Sequence, residues 1–267
     1  MNQDTRPLIR VVAGIVLDSE GRFLLSSRPQ GKPYAGYWEF AGGKVEQGES
    51  NFEALRREFD EELGIRILAA KPWLTKIHSY EHARVCLNFL WVEAHEWTGS
   101  LQAKEGQQWK WQQAGDFTVA PMLPANGALL KALSVPRVFE GNLKEGLLAS
   151  NAAGIYRVVP QGAENAAAAQ GIWLAADMLV DFVQTSEQSL WAVVENPQQW
   201  QLAQAAADVA VWRVGSAASA RLVLEILAQG VCLPLVVAAK QELLPAYRAL
   251  WENAGAHAVV CDGGEAV

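Results

Sequence analysis

The stretch GKVEQGESNFEALRREFDEELGI, residues 43–65, constrains this chain more than any other. A glycine-rich loop feeds a helix expected over 50–64, opened by Ser50 with Glu53 three residues on and closed by Gly64. Phe52, Leu55, Phe59 and Leu63 recur every three or four residues, so one stripe of this helix must be buried. Glu58, Glu61 and Glu62 stand at i, i+3 and i+4, which brings three carboxylates onto one face, opposite or beside that stripe. Unpaired like charges repel, so a cation between them is expected, and an all-oxygen donor set suits Mg²⁺ or Mn²⁺. The preceding glycines let the backbone come close to such an ion. Metal on one side and phosphate oxygens on the other make a phosphoryl-transfer site. Acidic patches on helices are more commonly solvated surface, so the residues around this one decide between the two readings.

Composition sets the outer bounds. A length of 267 residues allows one or two domains. With 51% hydrophobic and 19% charged residues, packed cores are expected rather than disorder. A net charge of -7 argues against long nucleic acid, which needs many Lys and Arg to displace phosphate counterions. It leaves room for a single nucleotide whose charge a metal neutralises. Cys86, Cys232 and Cys261 are scattered and odd in number, so no disulfide framework or zinc spacing is expected, and a reducing cytoplasm is. No apolar run approaches a membrane span of about 20 residues. The run from Val11 to Leu17 is closed by Asp18 and Glu20 and reads as a strand rather than a signal peptide.

Along the chain, RPLIRVVAGIVLD and FLLSSRP read as strands, and residues 28–50 as a long Gly/Pro loop with extended pieces. Strand-like runs follow around KIHSY and VCLNFLWVEAHEW, then EGQQWKWQ, a turn before Asp116, and a short helix from about Gly127 to Leu133. A linker is expected over 136–151, where Pro136, Gly141 and Gly146 interrupt the pattern. Beyond it, apolar strands (GIYRVVP, GIWLAA, SLWAVVE, VAVWRVG, LPLVVAA, AHAVVCD) alternate with helix candidates DMLVDFVQTS, PQQWQLAQAAA, SAASARLVLEILAQG and QELLPAYRALWENAG. Ala166–Ala169 also reads as helix-forming. This alternation predicts a mostly parallel sheet with helical cover. The whole is thus α/β. GAENAAAAQG and DGGEAV lack the G-x-G-x-x-G spacing of a dinucleotide site.

The glutamate helix and its loop match Gly-x5-Glu-x7-Arg-Glu-U-x-Glu-Glu-x-Gly-U, with Phe59 and Ile65 in the apolar slots U, and so resemble the box of the Nudix hydrolases. YWEFAGGKVE, with Ala41 where Pro is usual, is similar to a run of the MutT-like branch. So are WTGSLQAKEGQQWKW and PMLPANGALLKAL. The resemblance spans about residues 6–135 and implies a Nudix fold, a mixed β-sheet sandwiched between helices. It implies hydrolysis of an oxidised purine nucleotide such as 8-oxo-dGTP, by water attack at the inner β phosphorus, to the monophosphate and pyrophosphate. Such nucleotide-pool sanitation limits replication errors. The resemblance further implies that Glu58, Glu61, Glu62 and Glu105, with the Gly42 carbonyl, hold Mg²⁺ or Mn²⁺. Glu58, Glu61 and Glu105 each remain candidates for the general base, Arg57 orients the carboxylates, and Glu49 supports the loop and helix. Arg28, Phe40 and Asn126 are placed at the base, where an Asn amide can pair a donor and an acceptor with one purine edge. Tyr37 and Trp38 are weaker stacking candidates. His78, His82 and His95 read as surface or packing residues.

The remaining residues, 152–267, are faintly similar to part of a thiamine-phosphate synthase barrel. The Gly-Gly phosphate turn is replaced by Ala238-Ala239-Lys240, and the span falls short of the ~200 residues of a full (β/α)8 barrel. A smaller, degenerate βα-repeat domain without catalysis is expected, one that packs or docks a protein partner. Two alternatives stand beside the main reading: a Nudix hydrolase of another nucleoside diphosphate derivative, and a two-part protein whose second half is a partner-binding module.

Overall fold

Helix α1 (Asn51–Leu63) forms where its end signals place it. The Ser50 hydroxyl accepts from the Glu53 amide while the Glu53 carboxylate accepts from the Ser50 amide, a capping box worth about 1 kcal/mol. Gly64 ends the helix in the left-handed region, φ 67°. Leu55, Phe59 and Leu63 are buried as the spacing predicts; Ala54 joins them, and Phe52 is only half-buried.

The computed structural model describes residues 5–184 and 187–263. The chain divides into two compact units, Met1–Lys131 and Ala132–Val267. In the first, β1 (Leu8–Val16), β2 (Phe23–Ser27), β3 (Trp38–Glu39) and β4 (Gly42–Lys44) precede α1. After it come β5 (Ile65–Ile67), β6 (Lys71–Ser79), β7 (Arg84–Val92), β8 (Trp97–Gly99) and β9 (Trp109–Gln112). A 3-10 turn at Pro124–Asn126 leads into α2 (Gly127–Leu133). The central sheet runs β4-β1-β7-β6, with β1 and β7 parallel and the outer pairs antiparallel. A three-stranded sheet β3-β2-β9 and a pair β5-β8 complete the unit. The stripe of α1 packs with Val12, Val16, Leu24, Leu90 and Val92 in one core. That burial fixes which face of α1 is turned away and carries the glutamates.

The second unit begins earlier than expected. Residues 136–151 are not a linker: they contain β10 (Glu140–Asn142) and β11 (Gly146–Asn151), an antiparallel pair. Gly141 and Gly146, which read as breaks, are hairpin residues at φ 96° and 126°, and a Cβ on Gly141 would lie 2.2 Å from the Gly146 carbonyl oxygen. Then follow β12 (Gly154–Pro160), β13 (Gly171–Ala175), β14 (Ser189–Val194), α3 (Pro197–Ala206), β15 (Val209–Val214), α4 (Ala217–Ala228), β16 (Leu235–Ala239), α5 (Leu244–Ala254) and β17 (Ala258–Cys261).

Strands β12 to β17 are all parallel, and the eight strands neighbour one another in chain order. The Leu143 amide after β10 donates to Asp262 Oδ1 after β17 (3.4 Å), so the first and last strands lie side by side. Leu147, Val158, Trp173, Trp191, Val211, Val236 and Val260, one from each of seven strands, share a single core. The unit is therefore a circuit of eight strands rather than part of one. It is short because two links are hairpins and several helices shrink. DMLVDFVQTS keeps only a 3-10 segment, Ala176–Val180, without a side-chain cap. Thr185 and Ser186 of that candidate lie outside the described residues. Ala166–Ala168 is likewise a single 3-10 turn. Of the terminal DGGEAV, only Asp262 and Gly263 are described.

Candidate active site

The loop, β4 and α1 meet at two glycines. Gly42 has φ 147°, and a Cβ there would sit 2.1 Å from the Val12 carbonyl oxygen and 2.8 Å from Ala13 Cα. β4 can therefore pair with β1 only if residue 42 has no side chain. At Gly43 the space a Cβ would take is filled by the Glu58 carboxylate, whose Cδ and Oε1 would be 2.2 Å away.

Arg57 organises the acidic face. Its Nε and Nη2 donate to the two Glu49 oxygens at 3.0 Å each, and Nη2 also to the Lys44 carbonyl (3.0 Å). Nη1 donates to Glu58 (2.8 Å) and Glu61 (3.4 Å). These bonds hold the Glu49 carboxyl below its ordinary range, so Glu49 braces loop to helix as expected.

Glu62 faces the other way, into a cavity of about 630 Å³ whose wall includes Glu58, Gly42 and Gly43. Burial pushes its carboxyl up to about 7, against the attraction of Lys32 and with repulsion from Glu105, Glu58 and Glu39 adding to it. Lys32 Nζ lies 2.5 Å from Glu105 Oε2 and 3.7 Å from Glu62 Oε1. Gln107 fixes that approach. Buried, it donates to the Glu62 carbonyl (2.7 Å) and accepts from the Glu105 amide (2.9 Å).

The i, i+3, i+4 spacing did not gather the carboxylates into a ready cage. Among the described residues no three acidic, His or Cys side chains converge closely enough to hold a metal. Glu61 stands on the outer flank, its side chain 60% exposed, while Glu105 shares Lys32 with Glu62. The protein's own cations separate the acids. The donor set nonetheless fits a divalent ion, because every ligand is a hard oxygen.

The cavity is also lined by Arg28, Glu39, Phe40, Leu123 and Asn126. Arg28 is committed within the protein: Nε donates to the Pro33 carbonyl (2.6 Å) and Nη1 to both Glu39 oxygens (2.7 Å). It thus buttresses the loop and Glu39, whose carboxyl burial raises against the pull of Arg28. Phe40 is buried, its ring 5.7 Å from Phe23 and 6.1 Å from Phe89, and forms part of the cavity wall. Asn126 ends the 3-10 turn, is 4% exposed, and its side-chain amide makes no hydrogen bond to another described residue.

Several wall residues escaped the sequence reading. Tyr34, at φ 60°, packs on Tyr80 and His82 (6.0 and 6.4 Å between ring centres), and all three line the cavity. Tyr37 instead abuts Tyr34 from outside, and Trp38 borders a separate surface hollow. His78 stacks edge-on against Tyr80, and His95 is exposed, so both keep the bland role expected of them. Gln107 lies in the run WTGSLQAKEGQQWKW, whose resemblance assigned a role to Glu105 alone. Nothing local marked Lys32, Tyr34 or Tyr80.

Comparison with known proteins now adds lineage to this geometry. Residues 7–133 match the sequence profile of the NUDIX domain. An 8-oxo-dGTP diphosphatase of Haemophilus influenzae is 34% identical over 48% of this chain and 93% of its own length. A CTP pyrophosphohydrolase of Escherichia coli is 37% identical over 49% and 94%. The solution structure of the E. coli ORF135 protein is 34% identical, covers 50% of this chain and 94% of its own, and superposes with a TM-score of 0.41.

Proposed function

The chain belongs to the NUDIX hydrolases, which act on nucleotide substrates, and we propose that its own substrate is an oxidised purine nucleoside triphosphate such as 8-oxo-dGTP. The observation that carries this is Asn126: a buried residue whose amide makes no bond to other described residues, on the wall of the cavity that Glu58 and Glu62 also line. An amide with no protein partner on that wall is available to a base edge offering one donor and one acceptor. 8-Oxoguanine offers such an edge through N7–H and O6. The name of the Haemophilus relative supports the same substrate.

In this reading water attacks the β phosphorus. The new bond is water oxygen to Pβ; the bond from Pβ to the α–β bridging oxygen breaks, and the monophosphate leaves with pyrophosphate as co-product. Glu58, Glu61, Glu62 and Glu105, with the Gly42 carbonyl, would hold Mg²⁺ or Mn²⁺. When bound, the ion supplies charge neutralisation and a lowered pKa for the attacking water. Arg57 keeps Glu58 and Glu61 oriented. Glu58, Glu61 or Glu105 takes the proton from water. Asn126 and the wall formed by Phe40 and Leu123 orient the base, and Arg28 acts through Glu39 and the loop. Work on the nucleotide pool would suit a cytoplasmic protein. The second unit takes no part in this chemistry and is an accessory or docking module.

The test is a substrate panel: 8-oxo-dGTP, dGTP, CTP, a UDP-sugar and a dinucleotide polyphosphate, each with Mg²⁺ and with chelator, read by phosphate product. Metal-dependent pyrophosphate release, with the highest kcat/KM for 8-oxo-dGTP, is expected. A preference for CTP or a UDP-sugar refutes the substrate while leaving the hydrolase intact.

A further inference from the structure

Two protein cations stand in the acidic cluster, and they are held differently. Arg57 is fastened through three nitrogens to Glu49, Glu58, Glu61 and the Lys44 carbonyl. Lys32 reaches in from the loop between β2 and β3 with its side chain 42% exposed, and among the described residues its side chain pairs with Glu105 and Glu62. The backbone around Lys32 is pinned: Arg28 Nε holds the Pro33 carbonyl, and the Gly36 amide bonds to the Arg28 carbonyl at 2.9 Å. Tyr34 sits in the left-handed region two residues on, packed against Tyr80. The freedom that remains is in the Lys32 side chain.

The oxygens that Lys32 occupies are ones a divalent ion would need. Ammonium and metal compete for the same lone pairs, so binding of the ion must displace Nζ. Lys32 also lines the cavity that would receive the polyphosphate. An ammonium expelled with no anion to receive it faces a new divalent charge nearby, which is unfavourable. With polyphosphate present it exchanges carboxylate oxygens for phosphate oxygens at little net cost. We propose that Lys32 is a displaceable counter-ion of the Glu62–Glu105 pair that passes to substrate phosphate when a divalent ion enters, coupling metal binding to polyphosphate binding. Such coupling is reciprocal: each ligand tightens the other by the same factor, typically 5–150-fold. The proposal rests on reading these carboxylates as the ligands of a divalent ion in a nucleotide hydrolase.

The experiment measures Mn²⁺ affinity of the full chain by titration calorimetry and by the EPR signal of free Mn²⁺, with and without a nucleotide analogue whose α–β bridging atom is an imido nitrogen. No turnover enters the readout. In the unaltered protein the analogue is expected to tighten Mn²⁺ at least fivefold. In Lys32→Met, Mn²⁺ alone should bind about tenfold more tightly and the analogue should tighten it less than twofold. Lys32→Arg, which keeps the charge, should retain most of the coupling, and thermal unfolding verifies that both variants fold. Unchanged or weaker Mn²⁺ binding in Lys32→Met, or loss of coupling equally in Lys32→Arg, overturns the proposal. If the unaltered chain binds no Mn²⁺ at all, the metal reading of the site falls, and the proposal with it.

Discussion

Replacing Gly43 by Ala separates the chemistry of this site from the stability of its fold. The added Cβ would lie 2.2 Å from Glu58 Cδ and Oε1 and 2.4 Å from Oε2. Ordinary carbon contacts begin near ~3.5 Å, so the carboxylate must retreat by more than about 1 Å. Glu58 is the end of a flexible side chain, so the backbone need not move. The stability at risk is the Arg57 bond to Glu58, between partly exposed groups, worth under about 1 kcal/mol. The thermal midpoint should fall by no more than about 5 °C. A ligand oxygen displaced by about 1 Å should nevertheless cost on the order of 10²-fold in turnover. Gly42→Ala is the contrast: its Cβ meets the Val12 carbonyl oxygen at 2.1 Å, at φ 147°, where backbone itself must yield, and gross destabilisation is expected. The assay pairs calorimetric unfolding with steady-state pyrophosphate release at saturating Mg²⁺. If Gly43→Ala keeps turnover within threefold of the unaltered chain while a structure shows Glu58 displaced, Glu58 does not serve the reaction.

Asn126→Ala should raise KM for 8-oxo-dGTP roughly tenfold with kcat nearly unchanged, since it contributes to holding the base rather than to the chemical step; a uniform fall in kcat across nucleotides would contradict that role. In the second unit, burial lowers the His257 pKa from its ordinary value to about 4, although its Nε2 bonds to the Val135 carbonyl at 3.0 Å. The unfolded chain, with an ordinary His near 6.5, binds the proton first, so stability is fully present above about pH 6.5 and is lost as pH falls toward 4, by at most about 3 kcal/mol. Urea titrations at several pH values should show this acid-side loss shrink in His257→Gln, and an unchanged slope would assign it elsewhere. A chain ending at Leu133 should fold and keep most of the full-length kcat/KM; a large loss would give the second unit a role in the reaction.

The pattern of residues 43–65 determined α1, its caps, its buried stripe and the presence of an acidic face, because capping and amphipathicity act between residues a few positions apart. The same locality made most strands legible in both units. It failed at residues 136–151, since a glycine that breaks a pattern and a glycine that shapes a hairpin are the same letter until a partner strand arrives. It failed again at the carboxylates. Helical spacing put them on one face, but which cation each would take depended on Lys32 meeting Glu105 from 73 residues away. The cavity wall of Tyr34, Tyr80 and Asn126, and the closing of eight strands into a circuit, were likewise decided only in three dimensions. Such pairings join segments distant along the chain, and their energies depend on distances that no local run of residues encodes.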